Sequence, residues 1–127
     1  MLDGGMDQAI PIAKAMEEGW KKVVVILSRD SSYRKAKQHP LYLAAVKAFY
    51  HKYPEFYKLV KSRPERYNES LEQVLALEKE GRALIIRPEE LTLKNSESDS
   101  EVLKAYHRHG YDVAKKRIDE IKAFLQM

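Results

Sequence analysis

The sequence predicts a small, mostly helical α/β fold, with two short parallel strands and about five to six helices. Three observations predict it. Lys22–Ser28 reads Lys-Val-Val-Val-Ile-Leu-Ser, a run apolar on both faces, as in a parallel strand covered by helices on each side. Ala83–Ile86 is a second short apolar run, ended by Pro88. The chain between them has helical periodicity, and parallel strands need a long crossover of this kind.

The elements follow in order. Residues 11–18 form a helix with Pro11 in its first turn, where a missing N–H costs nothing, and Gly19 at its end. Strand 22–28 comes next, and residues 29–40 are a polar loop closed by Pro40. Residues 41–52 form a helix with Leu43, Val46, Phe49 and Tyr50 on one stripe, and Pro54 ends it at Tyr53. The aromatic residues between Tyr42 and Tyr57 are expected to pack inward. A short helix over 55–61 stops before Pro64. Residues 65–80 form another, with Leu71, Val74, Leu75 and Leu77 inward and Gly81 as its stop. Asn95–Ser100 is a polar loop that supplies an N-cap near Ser98 or Ser100. Two final helices, 99–108 and 111–126, part at Gly110, and the second carries Ala114, Ile118, Ile121 and Leu125 on one side. The loop at 92–98 is too short to separate two domains, so a single domain over 1–127 is expected.

Apolar content of 44% and charged content of 33% suit a globular class. No apolar run approaches the ~18 residues of a membrane span, and the start lacks a signal-peptide pattern. Zero cysteines exclude a disulfide framework and thiolate chemistry. The expected location is cytoplasmic, peripheral to a membrane where the basic segment engages one. The net charge of +4 is uneven: residues 29–66 hold ten basic and three acidic groups, a local +7. The same segment is rich in tyrosine and phenylalanine. Cations interleaved with amphipathic rings suit an anionic surface, with Arg34, Lys35 and Lys37 as the candidate contacts. The competing reading is a solvated face balanced by the acidic C-terminal helices.

Asp3-Gly4-Gly5 opens the chain, ahead of the first helix and strand. An acidic residue on a Gly-Gly turn is how an open α/β sheet presents a carboxylate at a strand's carboxyl end. Two glycines there allow φ > 0 and close approach of a partner. The pattern Asp3-Gly4-Gly5, Asp7, Ile10-Pro11, Ala15, Gly19, the strand 22–27 and Ser28-Arg29 resembles the catalytic-aspartate segment of bacterial patatin-like phospholipases. The resemblance continues with Tyr33-Arg34-Lys35, Ile85-Ile86-Arg87-Pro88, and Tyr106 with Gly110, and so covers most of the chain. It implies the C-terminal portion of a three-layer hydrolase whose earlier strands lie outside this chain. It implies Asp3 as the base of a Ser-Asp dyad, on a turn shaped by Gly4 and Gly5, acting on a lipid or ester substrate.

The chain departs from that family in one decisive respect. No two glycines flank a serine at the spacing of a Gly-x-Ser-x-Gly elbow, and no Gly-rich loop is present to supply oxyanion donors. The chain alone is therefore expected to be inactive, and its uncovered strand to drive self-association. The alternative is a complete small basic interaction module for anionic lipid, nucleic acid or a protein partner.

The remaining constellations read as structural. His107 and His109 point about 200° apart on a helix and cannot share an ion. Asp7 is placed to cap the first helix, Arg29 and Asp30 to pair locally, and Trp20 to pack between helix and strand. Nothing resembles a phosphate-cradling loop, a zinc ligand set or a nucleic-acid fold signature, so no metal or cofactor is expected, and under the hydrolase reading no nucleic acid.

Overall fold

The structure is a computed structural model that describes residues 4–89, 93–94 and 96–126. Those residues form a 3₁₀ turn (Gly4–Met6), then α1 (Ile12–Glu17), β1 (Val23–Ile26), α2 (Pro40–Phe49), α3 (Pro54–Lys79), β2 (Ala83–Ile86), α4 (Ser100–Lys116) and α5 (Ile118–Gln126). The fold is mostly helical with two parallel strands, as the sequence predicts. The chain divides into two compact units, Met1–Gly19 with Arg34–Leu75, and Trp20–Tyr33 with Ala76–Met127.

The first unit is helical. Its core is Ile10, Ile12, Val46, Val60, Leu71 and Val74. Pro40 occupies the first turn of α2, and the His39 Nδ1 accepts from the Leu41 N–H at 3.2 Å, a side-chain cap. Pro64 does not end a helix: α3 runs through it. Its missing N–H forfeits the bond to the Val60 carbonyl. Yet Pro64 falls on the buried stripe with Val60, Leu71 and Val74, so its ring serves the core. The predicted helices 55–61 and 65–80 are therefore one.

The second unit holds the sheet. β1 and β2 pair in parallel, Val23 with Ala83 through Ile26 with Ile86. All four residues of β2 are buried. β1 is half-buried over Val23–Val25, and Ile26 is 80% exposed, so the expectation of a strand covered on both faces fails at that residue. Gly81 ends α3 at φ 70, with its N–H donating to the Glu78 carbonyl and the Arg82 N–H to the Leu77 carbonyl. That pair of bonds is a Schellman cap, which needs the left-handed backbone that glycine allows.

Of three further expectations, two are corrected. The α4 cap expected near Ser98 or Ser100 is Asp99, its carboxylate accepting from the N–H groups of Glu101 and Val102. The last two helices part at Arg117 rather than Gly110, which lies inside α4. Trp20, expected to pack between helix and strand, is 61% exposed. Among the described residues no helix is long and apolar enough to cross a membrane.

Candidate functional site

Asp3 lies outside the described residues. The turn after it is described. The N–H groups of Asp7 and Gln8 both donate to the Gly4 carbonyl, at 3.0 and 2.9 Å, which closes the turn locally. A Cβ on Gly4 would meet nothing within 4 Å.

Arg66 of α3 holds the turn. Its Nη2 donates to the Met6 carbonyl at 3.0 Å and to the Leu59 carbonyl at 2.8 Å. Its Nη1 donates to the Asp7 carbonyl and, at 3.2 Å, to the Asp7 carboxylate. Its Nε donates to the Ser62 hydroxyl at 3.1 Å. Arginine suits this job because its planar fork presents several donors in fixed directions. Asp7 is therefore an Arg66 partner. The cap position of α1 is Pro11, which makes no side-chain cap bond. A cavity of about 550 Å³ opens beside the pair, lined by Phe56, Leu59, Ser62 and their neighbours.

The candidate anionic-surface residues, also in the first unit, are unequally available. Arg34 is paired with Glu72 at 3.1 Å. The Lys35 backbone exchanges two hydrogen bonds with the Asn68 amide, and its ammonium lies 5.5 Å from the centre of the Tyr67 ring. Lys37 is exposed and, among the described residues, makes no ion pair.

The second unit carries a cleft of about 620 Å³ at the carboxyl ends of its two strands. Ile26, Leu27 and Ser28 supply one wall, Ile86, Arg87 and Pro88 another, and α4 the third. Crevices outside the carboxyl ends of parallel strands are where open α/β sheets bind ligands. The lining is mostly apolar and, among the described residues, holds no carboxylate; Arg87, His107, His109, Tyr106 and Tyr111 are its polar side chains beside Ser28. Two bonds tie α4 to the strands. The Tyr106 hydroxyl donates to the Ser28 carbonyl at 2.6 Å, and Arg117 donates to the Ile85 carbonyl at 2.7 Å. Burial pushes the Tyr106 hydroxyl above its ordinary pKa, with the Arg29 charge opposing.

The loop after β1 is held by local bonds. Asp30 accepts from the Ser32 hydroxyl and N–H, which hold its carboxyl below the ordinary value. Arg29 lies over the Tyr33 ring and donates to the Leu93 carbonyl. His109 accepts from the Glu89 N–H at 3.1 Å and lines the cleft together with His107. Sequence reasoning missed the Arg66 clamp and the cleft, because both join residues far apart in the chain. The aromatic residue at Tyr106 and the basic run Lys115-Lys116-Arg117 were visible, but not their backbone partners.

No curated protein and no solved structure matches the chain. Residues 53–126, from the approach to α3 through α5, match the domain of unknown function DUF6363, and the chain belongs to that family.

Proposed function

We propose that this chain is the base-bearing, C-terminal part of a patatin-like serine lipid acyl hydrolase, with Asp3 as the general base. One observation carries the reading. Arg66 pins the backbone at Met6 and Asp7, three and four residues after Asp3. A carboxylate that must take a proton in a fixed direction needs its loop held, and rigid elements hold loops best.

In this reading Asp3 accepts the proton of a serine hydroxyl supplied by the preceding part of the enzyme. The serine oxygen attacks an ester carbonyl, the alcohol leaves, and water later releases the acyl group. The apolar cleft of the second unit supports an apolar substrate class, since an acyl chain gains by leaving water for such a surface. A second reading, a basic interaction module, is favoured by the exposed aromatic side of α2.

The parent polypeptide tests the proposal. The reading frame ahead of Met1 should carry a Gly-x-Ser-x-Gly elbow, and Asp3→Asn in that parent should lower ester turnover ~10²–10⁴-fold. A stop codon and ribosome-binding site directly before Met1 would favour the module instead.

A further inference from the structure

Helix α2 buries little of its apolar surface. Val46 is its buried residue, and Leu43 is half-buried. Leu41 is 75% exposed, Tyr42 49% and Phe49 83%. Tyr42, Ala45 and Phe49 stand at i, i+3 and i+7, with Leu41 and Ala48 next to them around the helix. They form one continuous apolar side beside the buried one. Tyr50 and Tyr53, 47% and 66% exposed, extend it past the helix end. Scattered exposed apolar residues need no explanation, but a contiguous patch of leucine and aromatic rings marks an interaction surface.

Charge selects the partner. Residues 31–54 contain five lysines and arginines and no acidic residue. Lys37 stands just before α2 and Lys52 just after it, both exposed and, among the described residues, neither in an ion pair. Lys47 belongs to the other side of the helix, over the Tyr57 ring. A polyanion such as a nucleic acid would satisfy the cations but leave Leu41 and Phe49 in water. A second copy meeting α2 about a two-fold axis would set lysines against lysines. An anionic bilayer satisfies both terms. Its acyl region takes the leucine and phenylalanine, its headgroup layer takes the tyrosines, and its charge takes Lys37 and Lys52.

We propose that the exposed side of α2 docks in the interface plane of an anionic lipid bilayer. The inference stands on α2 and needs no catalytic role for Asp3.

Co-sedimentation of the whole chain with vesicles tests it. Phosphatidylserine-containing vesicles should bind the protein, pure phosphatidylcholine vesicles far less, and added salt should weaken the binding. Leu41→Ser with Phe49→Ser should weaken it roughly tenfold or more, since burying either side chain is worth at least that. Lys37→Gln with Lys52→Gln should cost roughly tenfold on anionic vesicles, while Lys47→Gln should change little. Circular dichroism should show all three variants folded, because the altered side chains are exposed. In a Trp20→Phe, Phe49→Trp variant, emission should shift to shorter wavelength with anionic vesicles only. Absence of vesicle binding, equal binding to both lipid compositions, or full binding by the folded Leu41→Ser, Phe49→Ser protein would overturn the proposal. So would heparin binding without vesicle binding, which assigns the surface to a polyanion. A dimer abolished by the same double substitution would assign it to a second copy.

Discussion

Arg66 on α3 grips Asp7 at both its backbone carbonyl and its carboxylate, and the same guanidinium reaches the carbonyls of Met6 and Leu59 and the Ser62 hydroxyl. The backbone contacts outweigh the ion pair, because the Asp7 side chain is 71% exposed and surface pairs are worth ~0–1 kcal/mol. Arg66→Ala should therefore destabilise the chain by about 2–3 kcal/mol, and Asp7→Asn by less than ~1 kcal/mol. Arg66→Lys should fall near the alanine variant, since an ammonium cannot serve carbonyls in several directions at once. Urea midpoints of the three variants check this ordering. Equal losses from Arg66→Ala and Asp7→Asn would mean that the ion pair is the anchor.

The hydroxyl of Tyr106 gives a prediction in alkali. Burial raises its pKa above the ordinary 10.0. A group whose folded value is raised stabilises the fold in its protonated form. That contribution is complete below the unfolded value and disappears as pH climbs through the folded one. Tyr106→Phe should cost about 0.5–1.5 kcal/mol at neutral pH by removing the donor to the Ser28 carbonyl. The variant should also lose less stability than the native chain between neutral pH and pH values above the ordinary tyrosine range. Thermal midpoints across that range are the measurement.

How much of this was legible in the sequence depends on the range of the interaction. β2 has the predicted bounds, Ala83–Ile86, because a short apolar run between Gly81 and Pro88 has few other options. Leu71, Val74 and Leu77 are buried as their spacing implies. Pro64 misled because local propensity argues for a stop, whereas burial of its ring on the Val60–Val74 stripe favours continuation. Gly110 misled likewise: one glycine inside a helix costs only ~1 kcal/mol relative to alanine, and packing of α4 around Val113 exceeds it. Phe49, Tyr50 and Tyr53 carry an aromatic periodicity that suits a core or an exposed interface equally, and only burial separates the two. The Arg66 clamp spans some sixty positions of chain, and no local pattern encodes its carbonyl partners.

Arg117 links the start of α5 to the sheet. It chelates Glu120 at 2.6 and 2.8 Å and donates to the carbonyl of buried Ile85. Arg117→Ala should cost about 1–3 kcal/mol, mostly through the Ile85 carbonyl left without its donor. Glu120→Gln should cost less than ~1 kcal/mol, because the pair is near the surface. The hydrogen bonds from Arg117 hold the Glu120 carboxyl below its ordinary 4.5. Its contribution is therefore present above that value and is lost as pH falls through the lower folded value. Denaturation in mild acid should thus be shallower in Glu120→Gln than in the native chain. Equal acid slopes would remove Glu120 from the account.

The isolated chain should show no serine-hydrolase activity. It has neither a nucleophile elbow nor an oxyanion loop, and one member of a dyad does not work alone. A fluorophosphonate probe should label no serine, and a short-chain aryl ester should hydrolyse at the background rate. Labelling of a single serine, with turnover lost on its substitution, would overturn the base-only reading of the chain.

The open edge of β1 supplies the last prediction. Among the described residues the sheet has two strands, so β1 pairs with β2 on one side and presents its other edge unpaired. Ile26, 80% exposed on that strand, adds apolar surface next to the free N–H and C=O groups. Such an edge recruits another strand unless a charge or a proline blunts it, and Val23–Ile26 contains neither. The chain should therefore self-associate at micromolar concentration, through pairing of β1 edges. Ile26→Lys should return it to a monomer, since a cation on each copy makes edge-to-edge pairing unfavourable at little cost to an exposed position. Leu41→Ser with Phe49→Ser should leave this association intact, because α2 lies in the other unit. Light scattering coupled to size exclusion separates these outcomes. A native monomer over a broad concentration range, or an oligomer indifferent to Ile26→Lys, would mean that the edge is already protected.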